Sequence, residues 1–209
     1  MALYPSWIEH LRSDLQRVNQ VSDVDRNHYI IRHGGGYPGL FGDPLKDSIA
    51  EMNEYRGFQH LVVCFDSDEE SCDEALAFAQ ARLEEKTEQP KNFEVKFIVQ
   101  HRCIETWLLG NSTLATAAPT RAELVRYRNY FDVRKEDPEA MPCHPNFAGH
   151  AAFHLKYLKL LFREKNLSYS KRRPADADRP YFLDGIQKRA VATGHLSSYT
   201  DFHTFLTTA

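Results

Sequence analysis

The feature that most constrains this chain is an apolar run that ends abruptly in acid. Residues 61–65 are all apolar, which is typical of a strand buried on both faces of a parallel sheet. Asp66 and Asp68 follow directly, ahead of two glutamates. In open α/β sheets, ligands bind in the crevice beyond the carboxyl ends of the strands. Residues two apart in an extended chain point the same way, so the aspartates could share one hard cation.

The alternative interpretation of the acidic segment is a solvated loop in front of a helix. Ser71 and Glu74 have the spacing of a capping box, in which the serine side chain and the glutamate side chain each bind a backbone N–H of the first turn. Both interpretations are compatible with this stretch taken alone.

Composition and charge restrict the class of protein. The chain has 209 residues, 42% of them hydrophobic and 26% charged, which is enough apolar material for one core. A net charge of −3 excludes a wholly basic nucleic-acid binder but leaves room for local basic patches. The 4 cysteines form no Cys-x-x-Cys pair, which suits a reducing compartment. No apolar run approaches about 18 residues and no signal-peptide pattern is present, so we expect a cytoplasmic protein without a membrane span.

Hydrophobic periodicity predicts alternating helices and strands in residues 1–118. The predicted helices cover residues 6–19, 43–56 and 72–86, and the predicted strands cover residues 29–31, 61–65 and 93–99. This alternation indicates an α/β fold with a mostly parallel sheet flanked by helices. Residues 119–209 are predicted to form a C-terminal helical extension. It contains helices at 120–131, 147–164 and 179–191, a linker at 132–146 and a closing aromatic segment at 199–206.

Three further features are candidates for function. The glycines at 34–36 permit positive φ and close approach to a ligand, although the Gly-Lys-Ser/Thr ending of a P-loop is missing and a plain turn is the alternative. Glu105 lies inside a short apolar segment, where a carboxylate needs a partner such as Arg102, a metal ion or solvent. Basic residues recur after position 120 and form either a phosphate-binding edge or ordinary solvated surfaces. They are Arg126, Arg128, Arg134, Lys135, Lys171, Arg172, Arg173, Lys188 and Arg189.

Several of these motifs occur in the same order in a known family. FDSD at 65–68, IETWLLG at 104–110 and Tyr-Ser-Lys at 169–171 resemble the Toprim domain of the OLD-type nucleases. They are most similar to the small stand-alone Toprim-like proteins found beside ATPases in bacterial defence loci. The resemblance implies a compact parallel sheet flanked by helices and metal-dependent cleavage of nucleic-acid phosphodiesters. It also implies an anti-phage role and a partner ATPase of the ABC/OLD type, and leaves homo-oligomerisation open.

The resemblance assigns roles to individual residues. Asp66 and Asp68 match the metal-binding aspartate pair, and Glu105 matches the downstream metal-site glutamate. Lys171 matches the lysine that faces the phosphate, so Glu105 and Lys171 are the expected catalytic residues. The expected cofactor is Mg²⁺ or Mn²⁺, which takes carboxylate oxygens rather than cysteine sulfur and can activate water for phosphodiester cleavage.

The family also carries an early glutamate followed by a second acid, and a glycine-rich loop before the acidic strand. Glu9 and Asp14 are the best candidates for the acids, although Glu9 also has capping-box spacing with Ser6. The glycines at 34–36 stand where such relatives have the loop. Nucleic acid is expected to contact a set of four basic residues. This set is Arg172, Arg173, Lys188 and Arg189.

Rival sites fit less well or remain open. A haloacid-dehalogenase phosphatase needs Thr or Val where Glu70 stands, and an EF-hand needs Gly and Glu where Ser71 and Ala77 stand. A metal-dependent nucleotide or sugar-nucleotide transferase using Asp-x-Asp remains open, but it assigns no task to Glu105 or Lys171.

Two further alternatives also remain. One is a zinc site, because two histidines four residues apart share a helix face near a cysteine. Its candidate ligands are Cys143, His144, His150 and His154. The other is a non-catalytic module that keeps the Toprim fold and binds a partner ATPase.

Overall fold

The computed structural model describes residues 3–86 and 88–208. Within them the fold is mixed α/β, with eight α-helices and four short strands. The helices are α1 Leu3–Leu11, α2 Asp43–Tyr55, α3 Cys72–Glu84, α4 Ile104–Leu109, α5 Ala122–Tyr130, α6 His150–Glu164, α7 Pro180–Thr193 and α8 Ser197–Thr208. The strands are β1 Gln16–Arg17, β2 His28–Tyr29, β3 His60–Asp66 and β4 Glu94–Gln100.

The strands form two separate parallel ladders. Among the described residues, β1 pairs with β2 alone, and β3 pairs with β4 along its whole length, from His60 opposite Glu94 to Asp66 opposite Gln100. The prediction of parallel pairing is therefore confirmed. A single sheet that includes the early strand is not found in the described residues. The reason is that β2 is only two residues long and pairs with a segment that was expected to be helical.

Helix α1 begins and ends earlier than the predicted range of 6–19. Pro5 stands in its first turn, where a missing backbone N–H costs little, and Trp7 is fully buried. Ser6 consequently lies inside the helix, so the expected capping role of Ser6 with Glu9 is wrong. The helix stops at Leu11, and the chain then turns into β1.

The elements around the acidic segment match their predictions. Ser71 Oγ accepts a hydrogen bond from the Glu74 backbone N–H at 3.2 Å, and Glu74 Oε2 accepts one from the Ser71 backbone N–H at 2.9 Å. This capping box starts α3 where it was predicted. Strands β3 and β4 lie within a residue of the predicted bounds.

Two buried clusters cover the β3–β4 pair. The smaller one packs α2 and α3 against one face of the pair, around Phe41 and Phe65. The larger one joins α1 and α4 to the helices of the C-terminal extension. Its members come from both sides of residue 118, so the extension packs back on the α/β part and shares its core. The predicted linker at 132–146 is part of this packing, because Glu139 and Met141 are buried.

In the two described ranges, no helix has both the length and the apolar character needed to cross a membrane.

Candidate active site

The candidate residues meet at the carboxyl ends of β3 and β4. Asp66 is the last residue of β3, and Glu105 is the second residue of α4, which follows β4 after a short turn. Asp66 Oδ1 accepts a hydrogen bond from the backbone N–H of Ile104 at 3.1 Å. This contact fixes the start of α4 against the end of β3, so the two carboxylates share one edge.

The loops that leave the two strands are hydrogen-bonded to each other. The Ser67 backbone N–H donates to Gln100 O at 2.9 Å, and the Asp68 backbone N–H donates to Arg102 O at 3.0 Å. The Arg102 backbone N–H in turn donates to the buried Ser67 Oγ at 3.0 Å. Asp68 and Arg102 both have positive φ, at 50° and 64°, a region that residues other than glycine seldom occupy. Such backbone conformations persist only where the surrounding structure holds them, and they cluster at functional sites.

A tight turn of the C-terminal extension brings a lysine to this edge. Ser170 and Arg173 exchange backbone hydrogen bonds of 2.9 and 3.0 Å, which leaves Lys171 at the tip. Lys171 Nζ lies 3.6 Å from Glu105 Oε2 and 3.9 Å from Asp66 Oδ2. The lysine side chain is 47% exposed, whereas that of Glu105 is 1% exposed. The structure therefore brings Asp66, Glu105 and Lys171 together, with the lysine facing solvent.

Glu105 has a second partner, Tyr169, which belongs to the Tyr-Ser-Lys motif but had no expected role of its own. Tyr169, which is itself buried, donates its hydroxyl to Glu105 Oε1 at 3.1 Å. The Tyr169 ring stacks on Phe162 at 5.4 Å between centroids, and Phe162 stacks on Phe182 at 5.9 Å. Glu105 Oε2 is buried and has no hydrogen-bond partner among the residues that the structure describes.

Burial and charge shift the protonation equilibria at this edge. Burial raises the pKa of Asp66 to about 7, with Glu105 and Asp68 adding to the rise and Lys171 opposing it. Burial likewise raises the pKa of Asp68, again against the effect of Lys171. For Lys171 itself, burial acts to lower the pKa, but the negative charges of Glu105 and Asp66 outweigh it and the pKa is raised. The ammonium thus stays charged at neutral pH.

The two glutamates after Asp68 connect the acidic loop to other elements. Glu69 Oε1 accepts from the His150 backbone N–H at 2.7 Å, and Oε2 lies 2.5 Å from His150 Nδ1, so Glu69 caps α6. Glu70 Oε2 accepts a hydrogen bond from the Tyr37 hydroxyl at 2.7 Å. Tyr37 directly follows the glycines at 34–36, so the glycine loop lies beside the acidic loop. Gly35 and Gly36 have φ of 83° and 94°, which fits a turn that needs glycine.

The early acids lie elsewhere. Glu9 is exposed on α1, and Asp14 forms an ion pair with Arg12 at 2.9 Å. The described residues contain no group of three or more His, Cys, Asp or Glu side chains placed to hold a metal ion. Glu9 and Asp14 therefore share no such group with Asp66, and Asp66, Asp68 and Glu105 do not form one either. Glu9 stands on the exposed side of the helix whose opposite side buries Trp7.

The candidate zinc ligands are also not assembled, because each has another environment. The thiol of Cys143 points to backbone oxygens of His144 and Phe147, at 3.7 and 3.8 Å. The His144 ring packs against Tyr130, with centroids 4.8 Å apart. His154 is fully buried, and its Nδ1 lies 2.8 Å from Thr106 Oγ1. His150 is bound to Glu69, as described above.

Three of the four expected nucleic-acid contacts are on the surface. They are Arg172, Arg173 and Lys188. Arg189 is 6% exposed, and its guanidinium donates to the backbone oxygens of Val133 and Glu136. The expectation that Arg189 contacts nucleic acid is therefore wrong. Its guanidinium satisfies carbonyl groups of the segment that was predicted to be a linker.

No family model, no curated protein and no solved structure matches this chain.

Proposed function

We propose that the carboxyl ends of β3 and β4 form the active site of a Toprim-type, divalent-metal-dependent nuclease that hydrolyses phosphodiester bonds of DNA or RNA. The observation that carries this proposal is the approach of Lys171 Nζ to Glu105 and Asp66, at 3.6 and 3.9 Å. Burying a carboxylate beneath a half-exposed cation adds little stability, because desolvation offsets the attraction. Charged groups with perturbed pKa at a strand edge are typical of functional sites.

Asp66 and Glu105, which both face Lys171, are the residues that would hold Mg²⁺ or Mn²⁺, with water and phosphate oxygens as the other ligands. Asp68, the third expected ligand, is exposed on the adjacent loop and does not complete a group of three metal-binding side chains among the described residues. Carboxylate oxygens are the ligands that these cations take, and within the described ranges the buried Glu105 Oε2 has no hydrogen-bond partner. When bound, such an ion activates water and neutralises charge on the phosphoryl group. Glu9 and Asp14 form no metal-binding group with Asp66 in the described residues, which favours one ion over two.

The lysine would act on the phosphate. Its ammonium stands at the tip of a turn and is half-exposed, so a phosphate oxygen can reach it from solvent. A fixed positive charge at that point stabilises the negative charge that develops during cleavage. Arg172 and Arg173 flank it on the same turn and would hold the nucleic-acid backbone without reading its sequence.

A second candidate is a non-catalytic module that keeps this arrangement and binds a partner ATPase. One observation favours it: Glu9 and Asp14, the candidates for the early acids of the catalytic family, form no metal-binding group with Asp66 in the described residues.

Cleavage assays decide between the two candidates. Supercoiled plasmid and RNA are incubated with the protein in Mg²⁺, Mn²⁺ or EDTA, with and without a candidate ATPase. For a nuclease, we expect cleavage that EDTA and Asp66→Ala abolish. Lys171→Met should lower the cleavage rate about a hundredfold with little loss of binding, because its contact strengthens in the transition state.

Arg172→Met is the matched control, since it removes a cation from the same turn. It should lose only salt-sensitive affinity. Equal, small losses in the two variants would contradict a catalytic role for Lys171. Absence of cleavage under every condition, together with binding of the ATPase, would support the non-catalytic module.

A further inference from the structure

Tyr169 connects the two charged partners of the candidate site. Its hydroxyl donates to Glu105 Oε1 at 3.1 Å, and the chain reaches Lys171 two residues later. The other carboxylate oxygen of Glu105, Oε2, is the one that lies 3.6 Å from Lys171 Nζ. One tyrosine thus fixes which oxygen of Glu105 is turned toward the lysine.

The tyrosine is held from the far side by aromatic stacking. Its ring lies nearly parallel to Phe162 on α6, with an interplanar angle of 20°, and Phe162 is stacked at 11° on Phe182 of α7. Because these rings belong to two long helices of the larger core, the hydroxyl is aimed by the packing of the extension. The acid and the lysine are therefore aligned by the same packing.

We infer that Tyr169 is a positioning residue, which orients the Glu105 carboxylate so that Oε2 faces Lys171 and the proposed metal position. The hydrogen bond supplies the reason. Glu105 is 1% exposed, so water does not replace the Tyr169 hydroxyl as a hydrogen-bond donor when that hydroxyl is removed. Both carboxylate oxygens would then be buried without a neutral donor, and the carboxylate would turn so that both oxygens face the Lys171 ammonium. The part of this inference that concerns metal rests on the proposed function; the part that concerns Lys171 does not.

Partners to metal ligands commonly act in this way. A hydrogen bond to a ligating carboxylate fixes its orientation, and its loss costs about ten- to a hundredfold in metal affinity or activity. Tyr157 provides a contrast within the same core: its buried hydroxyl donates to the backbone oxygen of Phe131 at 3.1 Å, away from the acids. A substitution there removes a comparable buried hydroxyl without touching the site.

The first test needs no metal and no activity. Native protein in EDTA is treated with a limiting amine-acylating reagent, and mass spectrometry compares the labelling rate of Lys171 with that of the exposed Lys188. In Tyr169→Phe the ring and its stacking remain, and we expect the relative labelling of Lys171 to change by about threefold or more as its carboxylate partner turns. Tyr157→Phe should leave it unchanged. An unchanged rate in Tyr169→Phe would overturn the inference, whether or not the protein is a nuclease.

The second test measures binding of Mn²⁺ alone by calorimetry. We expect Tyr169→Phe to lower the affinity about tenfold, while Tyr157→Phe binds as wild type does. If Tyr169→Phe binds Mn²⁺ with wild-type affinity while Asp66→Ala does not bind it, the metal part of the inference is overturned. The proposed function would still stand. Failure of the wild-type chain to bind Mn²⁺ would overturn the proposed function and that metal part together. The labelling result would then decide the Lys171 part separately.

Discussion

Asp66 is a residue of the candidate site whose ionisation depends strongly on its surroundings in the fold. Its carboxyl group accepts the Ile104 backbone N–H and faces Lys171, yet burial raises its pKa to about 7. Desolvation and the lysine act on the pKa of this carboxyl group in opposite directions, and desolvation outweighs the lysine. A ligand that binds only the ionised carboxylate, such as a metal ion, would lower the pKa of Asp66. Its binding would offset part of the free-energy cost of burying that charge.

The first prediction concerns the pH dependence of stability. The folded pKa of Asp66 lies near 7, above its usual value of 3.8, so the protonated group stabilises the fold. That contribution is complete below the unfolded-state pKa and is lost as pH rises toward 7. Asp66→Asn cannot ionise, so at pH 8 in EDTA it should be more stable than wild type by on the order of 2 kcal/mol. This corresponds to about 5 °C in melting temperature.

Thermal unfolding between pH 4 and pH 8 measures this difference, which should shrink toward acid pH. Asp47→Asn, on the exposed side of α2, is the control and should show no such trend. A gain that is the same at every pH would contradict the proposed burial of the charge.

At the scale of elements, the site depends on the hydrogen bonds between the two strand-end loops. Ser67 is fully buried, and its Oγ is the acceptor for the Arg102 backbone N–H. Arg102 also donates from its guanidinium to the backbone oxygens of Asp68 and Glu70, both at 3.2 Å. These contacts hold the left-handed conformations of Asp68 and Arg102, and with them the direction in which α4 starts.

The second prediction follows from that acceptor. Ser67→Ala leaves a backbone N–H without its partner in a buried place, so it should destabilise the protein by about 1–3 kcal/mol. Urea denaturation followed by circular dichroism measures the change. Ser48→Ala is the control: its Oγ donates to Pro44 O at 2.8 Å on the surface of α2, and its loss should cost under about 0.5 kcal/mol. Equal losses in the free energy of unfolding would show that the buried Ser67 hydrogen bond stabilises the protein no more than the surface hydrogen bond of Ser48 does.

Elements with local signals were predictable from the sequence. The capping box at Ser71 starts α3, and the apolar run before Asp66 forms β3 as expected. The ladder of β1 and β2 was not predictable, because two-residue strands carry no periodicity. The partners of Glu105 are set by packing across 64 and 66 residues of chain. The family resemblance therefore supplied the expected role of Lys171, and it marked Tyr169 as part of the same motif without giving it a role.

At the scale of the whole molecule, the C-terminal helices complete the core of the α/β part. Trp7 on α1 donates to Ala177 O at 2.9 Å, just beyond the turn that carries Lys171. Trp107 on α4 donates to Ser198 Oγ at 2.7 Å and packs against Phe202. The boundary near residue 118 therefore marks a change in the kind of element, while the buried cluster continues across it.

The last prediction is that residues 1–118 do not fold alone. Without the extension, Trp7 and Trp107 lose the helices that bury them completely, and the fragment keeps intact only the smaller cluster around Phe41 and Phe65. We expect the fragment to give no cooperative urea transition. The full chain should unfold in one step, with the same midpoint by tryptophan fluorescence and by circular dichroism. Cooperative unfolding of the fragment, or two separated midpoints in the full chain, would instead identify two independent domains, with Lys171 supplied to the strand ends by docking of one domain on the other.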